Sequence, residues 1–211
     1  NETNTSETST NETISNESVD FDTGDFSISS FTDVTDCTTI SASGMYQLTG
    51  DITGGSTCIN ITASDVLFDG MGYNITYGTS SQGYGINADS GSSIDNVTIT
   101  NVTLIKGSTV GNDNHGIRFD TVSNSNVSDV EIYTNGVSFN DGIRLLFSSQ
   151  YNLVSNNVIF TNGTGDFNYG ISTGDQGSSN NEFLNNIIFT DGLDDNFGIS
   201  IISDYNNISG N

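Results

Sequence analysis

"NHGIRF", Asn114 to Phe119, holds the only histidine of the chain beside one of its two arginines, with Asp113 just before it. Taken alone, the string looks catalytic. Three others share its frame: "NDGI" at Asn140, "NYGI" at Asn168 and "NFGI" at Asn196, with "GYGI" at Gly83 as a variant copy. The Gly-Ile steps fall at Gly85, Gly116, Gly142, Gly170 and Gly198, spaced by 31, 26, 28 and 28 residues. Recurrence at a near-constant interval marks a stacked repeat, in which each unit buries its apolar face against the next.

Working outward from this frame, a second anchor follows each copy. It reads "ITNVTL" at Ile99, "VSDVEI" at Val127, "VSNNVIF" at Val154 and "FLNNIIF" at Phe183. A third comes directly after, as Lys106-Gly107, Asn135-Gly136, Asn162-Gly163 and Asp191-Gly192. Asn-Gly and Asp-Gly supply tight corners. Proline and tryptophan are absent, Phe, Tyr, Val and Ile are plentiful, and good helix formers are scarce. The pattern predicts an all-β parallel β-helix with three strands per turn. About five to six turns at roughly 4.8 Å spacing give a rod of about 25 to 30 Å. Asn114, Asn140, Asn168 and Asn196 are expected to form an asparagine ladder, each amide bonding the next turn.

The chain divides into three segments. Residues 1–31 are a low-complexity acidic arm, too poor in apolar side chains to order itself, with a candidate donor strand at 19–31. Residues 32–63 form an N-terminal cap, and 64–211 the repeats. Cys37 and Cys58 flank the cap, and one disulfide in an oxidising compartment is the natural reading; the alternative is two buried free thiols. With 3 basic against 26 acidic residues the net charge is −23. Nucleic acid and anionic membrane surfaces would be repelled. No run of about 18 apolar residues occurs, so no membrane insertion is expected.

Sequons begin at Asn1, Asn4, Asn11, Asn16, Asn60, Asn74, Asn96, Asn101, Asn126, Asn162 and Asn207. Their number points to a secreted N-glycoprotein. Strand phase turns Asn60, Asn74, Asn96, Asn126 and Asn207 outward and puts Asn162 at an exposed corner. Asn101 shares the slot of Asp129, Asn156 and Asn185, and reads as a ladder residue and a poor acceptor.

The repeat resembles right-handed parallel β-helix repeats grouped with the copper-delivery protein NosD and with carbohydrate-binding and sugar-hydrolase families. "DCTTISASGMYQLTGDITGGSTCINITASDVLFDGMGYNIT", residues 36–76, looks like the first turns of archaeal cell-surface β-helix glycoproteins, with its Cys, its Gly-x-Tyr-x-Leu and its Asp-Gly-x-Gly-Tyr. The resemblance and the crossover rule for parallel strands imply a right-handed coil.

The candidate chemistry is sparse. His115 occupies the slot of Asp141, Tyr169 and Phe197, and a slot so permissive is expected to face outward. Arg118 stacks on Arg144 one turn later, with Asp120, Glu131 and Asp141 as candidate partners. In pectate-lyase-like β-helices an arginine base sits beside Asp-bound calcium, but here the aspartates do not share one slot. A divalent cation would draw on the corner carboxylates Asp166, Asp191, Asp194 and Asp195; no calcium-loop string is present, and no cofactor is expected. Tyr84, Tyr169 and Phe197 form the one aromatic stripe read from the slots.

"DYNNISGN", at the end, stops partway through a turn, and two readings stand: the protein continues beyond it, or a copy of the chain covers strand edges that template association. The favoured function is that of a non-catalytic, extracellular structural glycoprotein: a filament, sheath or stalk subunit whose partner is a copy of itself, stacked head to tail. The alternative is a carbohydrate-binding or polysaccharide-cleaving β-helix.

Overall fold

The computed structural model describes residues 30–108, 111–175 and 177–211. The sequons at Asn1, Asn4, Asn11 and Asn16, and the 19–31 donor strand except for Ser30 and Phe31, lie outside the described residues.

The chain coils into an all-β parallel solenoid of about five turns. Three parallel sheets form its walls. Sheet 1 has 8 strands, from Thr32–Val34 to Asn207–Ser209; sheet 2 has 7, from Thr38–Ile40 to Ile199–Ser200; sheet 3 has 6, from Ile52–Thr53 to Ile187–Asp191. Residues 32–63 supply the first strands of the same three sheets. The Cys37–Cys58 disulfide ties the first two strands of sheet 2 just ahead of them.

Strict alternation builds the core. Val66–Asp69, Val97–Thr100 and Ile117–Asp120 each bury every second residue, as strand geometry requires when one face meets a core. Parallel register then puts like on like. Ile59, Ile86, Ile117, Ile143, Ile171 and Ile199 form one column up sheet 2. Ile52, Ile75, Leu104, Ile132, Ile159 and Ile188 form its counterpart in sheet 3. Gly85, Gly116, Gly142 and Gly170, which precede isoleucines of the sheet 2 column, exist for clearance. A Cβ on Gly142 would lie 2.6 Å from the Gly170 carbonyl oxygen and 2.3 Å from Ile159 Cγ2. In this column Cys58 holds the slot ahead of Gly85, so the disulfide starts where the glycines do not yet reach.

The corners follow one rule. A residue with positive φ turns the chain, and the next residue points inward and bonds the next rung. At the corner from sheet 3 to sheet 2, Asp113, Phe139, Phe167 and Asp195 have φ of 58°, 58°, 61° and 53°. The inward residues are Asn114, Asn140, Asn168 and Asn196. Asn114 donates both its backbone N–H and its Nδ2–H to Asn140 Oδ1 (3.2 and 3.1 Å), and Asn140 does the same to Asn168 (3.0 and 3.0 Å) and Asn168 to Asn196 (2.8 and 3.1 Å). Thr134, Thr161 and Thr190 donate their hydroxyls to the carbonyls of Asn140, Asn168 and Asn196. Each ladder thus satisfies the buried polar groups of a corner that no sheet can pair.

Two further ladders stand at the other corners. Asn152, Asn181 and Asn206 form one, with Ser125 below them. Asn157, Asn186 and Asn211 form the other, capping the Val130 N–H. This corrects the reading of Asn101. Asn101, Asp129, Asn156 and Asn185, with φ of 55° to 57°, are the turning residues and not the ladder. In the pairs Asn156-Asn157, Asn180-Asn181 and Asn185-Asn186 the first turns the corner, because asparagine tolerates positive φ, and the second bonds. Asn101 is exposed, its Nδ2–H on Asp69 Oδ1 at 3.2 Å.

Candidate functional site

The outward face of sheet 2 carries a dense ionic cluster. Arg118 and Arg144 pair in register on adjacent strands, as their shared slot requires. Arg118 donates Nη1–H to Asn87 Oδ1 (3.0 Å) and Asp89 Oδ2 (3.2 Å), and Nη2–H to Asp120. Its guanidinium carbon lies 5.5 Å from the centre of the Tyr84 ring. That ring stacks parallel on the His115 imidazole, at 5.5 Å between centroids.

His115 is 1% exposed, and Asp141 likewise, so the slot does not face open solvent at these turns. Packing buries the histidine, contrary to the outward slot expected: Tyr84 from the neighbouring rung stacks over the imidazole, and the Arg144 guanidinium closes in beside it. The backbone N–H of Asp141 donates to His115 Nδ1 at 3.1 Å. With Nδ1 an acceptor, the proton sits on Nε2, which donates to Asp113 Oδ1 at 3.0 Å. That bond, with smaller contributions from the nearby arginines, holds the Asp113 carboxyl below the usual carboxylate range. Burial, then the Asp113 charge, pushes the Tyr84 hydroxyl up. Asp141 accepts the Tyr169 N–H at 3.0 Å and the Ser172 hydroxyl at 2.6 Å, and lies 3.8 Å from Arg144 Nη1. Arg144 Nη1 also lies 3.5 Å from Asp113 Oδ1, while its Nε is buried without a partner.

Of the three carboxylates foreseen as arginine partners, Asp120 and Asp141 serve. Glu131 does not: it lies in sheet 3 and accepts the Tyr133 hydroxyl. Asp89 takes its place. The repeated "GINAD" at Gly85 and "GIRFD" at Gly116, with Asp89 and Asp120 at the same offset, held that signal.

Within the cluster both arginines are held by carboxylates, and the aspartates outnumber them. Glycoside hydrolysis needs a carboxylic acid with a raised pKa across a cleft from a second carboxylate. Asp113 and Asp141 are instead both held against the same histidine and Arg144, and Asp113 is kept ionised. Arg118 has both terminal nitrogens committed. The one lysine is consumed too: Lys106 is buried and donates Nζ–H to the carbonyls of Gly78 and Ser108 at 2.8 and 3.1 Å, with burial lowering its pKa. All three basic side chains therefore serve internal partners.

The corner carboxylates do not converge. Asp166 Oδ1 accepts the Asp194 N–H (3.1 Å), Asp191 Oδ1 the Gly192 N–H (2.9 Å), and Asp195 is a turning residue. Among the described residues no group of three or more His, Cys, Asp or Glu is placed to hold a metal. Also among them, no helix is long and apolar enough to cross a membrane.

Of the sequons, Asn96, Asn101, Asn162 and Asn207 are exposed, and Asn60, Asn74 and Asn126 are half-buried. Asn60 Oδ1 accepts Asn87 Nδ2–H at 2.8 Å, and Asn126 has its own Oδ1 buried.

An aromatic stripe escaped the slot reading. Tyr133, Phe160 and Phe189 pair in register up the outward face of sheet 3, centroids 4.9 Å apart at each step. The signal was "IYTNG", "IFTNG" and "IFTDG", starting at Ile132, Ile159 and Ile188. Of the foreseen stripe, Tyr169 and Phe197 stack at 5.9 Å, whereas Tyr84 stacks on His115. Beside Tyr133, Phe160 and Phe189 runs a groove of about 350 Å³, bordered by Asn135, Asn162 and Asp191.

No family model, curated protein or solved structure matches the chain.

Proposed function

We propose that the chain is a structural element of an extracellular surface glycoprotein, a stiff acidic rod that stacks head to tail on copies of itself in a filament, sheath or stalk. The observation that carries this reading is where the side chains spend their interactions. The Asn ladders, the isoleucine columns and the Arg–Asp–His cluster all link one rung to the next, and the three cations are consumed on the way. Such nearest-neighbour bonding suits a solenoid that bears load or spans distance. The disulfide fits an oxidising compartment, and the exposed sequons fit a secretory route. The resemblance of residues 36–76 to archaeal cell-surface β-helix proteins supports the same location.

Negative-stain microscopy with light scattering over a wide concentration range tests the proposal. Rods that lengthen with concentration are expected. A monodisperse monomer throughout would contradict the head-to-tail assembly.

One observation favours a second reading, carbohydrate binding: the groove beside Tyr133, Phe160 and Phe189. Glycan-array binding that Phe160→Thr abolishes would establish it.

A further inference from the structure

A chain of net charge −23 should not need to show an apolar stripe to water, yet Tyr133 is 38% exposed, Phe189 55% and the adjacent Ile187 56%. Phe160 between them is half-buried, and Phe189 and Ile187 lie on the last strand of sheet 3, so the row is a narrow one rimmed by polar residues. The stripe climbs three rungs, about 10 Å along the axis, and the strand it crosses is about 13 Å long from residue 131 to 135. That is far below the roughly 800 Å² per partner of a stable protein interface. The groove of about 350 Å³ is at the small end of ligand sites.

The groove's candidate occupant is tethered in place. Asn162 borders the groove, is exposed, and heads the sequon Asn162-Gly163-Thr164. It follows Phe160 by two residues within the strand Val158–Gly163, so both side chains leave the same face. The stripe is central to that face: Tyr133 flanks Phe160 on one rung and Phe189 on the other. Asn135, one rung from Asn162, has a buried carboxamide oxygen with no donor. Of the other exposed sequons, Asn96 and Asn101 have Ile94 and Ile99 two positions before them, and Asn207 has Tyr205, a turning residue at φ 61° that lies outside the strand Asn207–Ser209.

We propose that an N-glycan on Asn162 folds back into this groove, its first sugar packing a C–H face against Phe160 and Phe189, so that the protein's own sugar covers the stripe. The linkage forms when Asn162 Nδ2 attacks the anomeric carbon of a lipid-linked oligosaccharide. One N–C bond forms, the C–O bond to the lipid phosphate breaks, and the amide proton leaves with that phosphate. The sugar is uncharged at this contact and is not repelled by Glu131 or Asp191. The inference rests on the reading of the chain as a glycoprotein.

The test uses the full chain made in a glycosylating host, alone and as Asn162→Gln, Phe160→Thr and the double variant. Intact-glycopeptide mass spectrometry reads occupancy, melting reads stability, and NMR reads contacts between sugar and ring protons. The Asn162 glycan is expected to raise the Tm by about 2–4 °C. That increment disappears in the Phe160→Thr background, and the innermost sugar's protons show ring-current shifts that the same substitution removes. An increment that survives Phe160→Thr, or sugar protons without ring shifts, overturns the inference. Sugar on Asn96 or Asn207 with Asn162 bare also overturns it and leaves the glycoprotein reading standing. Absence of sugar at every sequon overturns both.

Discussion

Sheets 2 and 3 each present an outward row of large side chains, and they treat water oppositely. On sheet 2, Tyr84, His115, Arg118, Arg144 and four aspartates interlock until the histidine is as buried as the core. On sheet 3, Tyr133, Phe160 and Phe189 stack on one another and leave their outer margins open. Charges brought close by rung stacking must be neutralised within a few ångströms, because like charges on adjacent strands repel. Partners are then recruited from neighbouring turns, and they close over His115. Stacked rings have no such demand. This solenoid therefore leaves its aromatic row partly open while burying His115 and Asp141 within the charged one.

The largest test of that contrast is Asp141→Ala. It removes the acceptor of the Tyr169 N–H and the Ser172 hydroxyl, and leaves Arg144 with only Asp113 as a carboxylate neighbour. A loss of about 3 kcal/mol is expected, because one member of a buried charged network has gone; urea denaturation at constant m-value reads it. Phe160→Thr, at the centre of the open row, should cost about 1 kcal/mol in the unglycosylated chain. It gives up two cross-strand aromatic contacts and no buried polar partner. Equal costs for the two variants would erase the distinction between the faces.

The smallest effect is acid dependence. Asp113 has its folded pKa lowered, chiefly by the His115 hydrogen bond. Its contribution is present above the unfolded value of about 3.9 and is lost as pH falls through the lower folded value. Asp113→Asn should thus show a smaller fall in urea midpoint between pH 5 and pH 2 than the parent. An identical fall would mean the His115–Asp113 bond contributes nothing.

The solenoid was legible because its grammar is local. Gly-Ile steps and Asn recurrences report rung length directly, and the Asn114 column follows from them. What depends on the neighbouring turn was harder to read. His115 shares a slot with exposed Phe197, and only the Tyr84 ring on the adjacent rung and the Arg144 guanidinium beside it decide that it is buried. In the pairs Asn156-Asn157, Asn180-Asn181 and Asn185-Asn186 both residues look alike in sequence, and backbone φ alone tells the turning one from the bonding one. The stripe at Tyr133 was readable in its repeated Ile-aromatic-Thr frame, one residue from the isoleucine that built the core column.

Hydroxyl-radical footprinting of the unglycosylated chain tests the central claim, a histidine buried within the ionic face and an open aromatic row, in one experiment. Tyr133, Phe160 and Phe189 should oxidise readily, while His115, an intrinsically reactive side chain, stays protected in the native state and becomes reactive on unfolding. Oxidation of native His115 at the rate of these rings would contradict it.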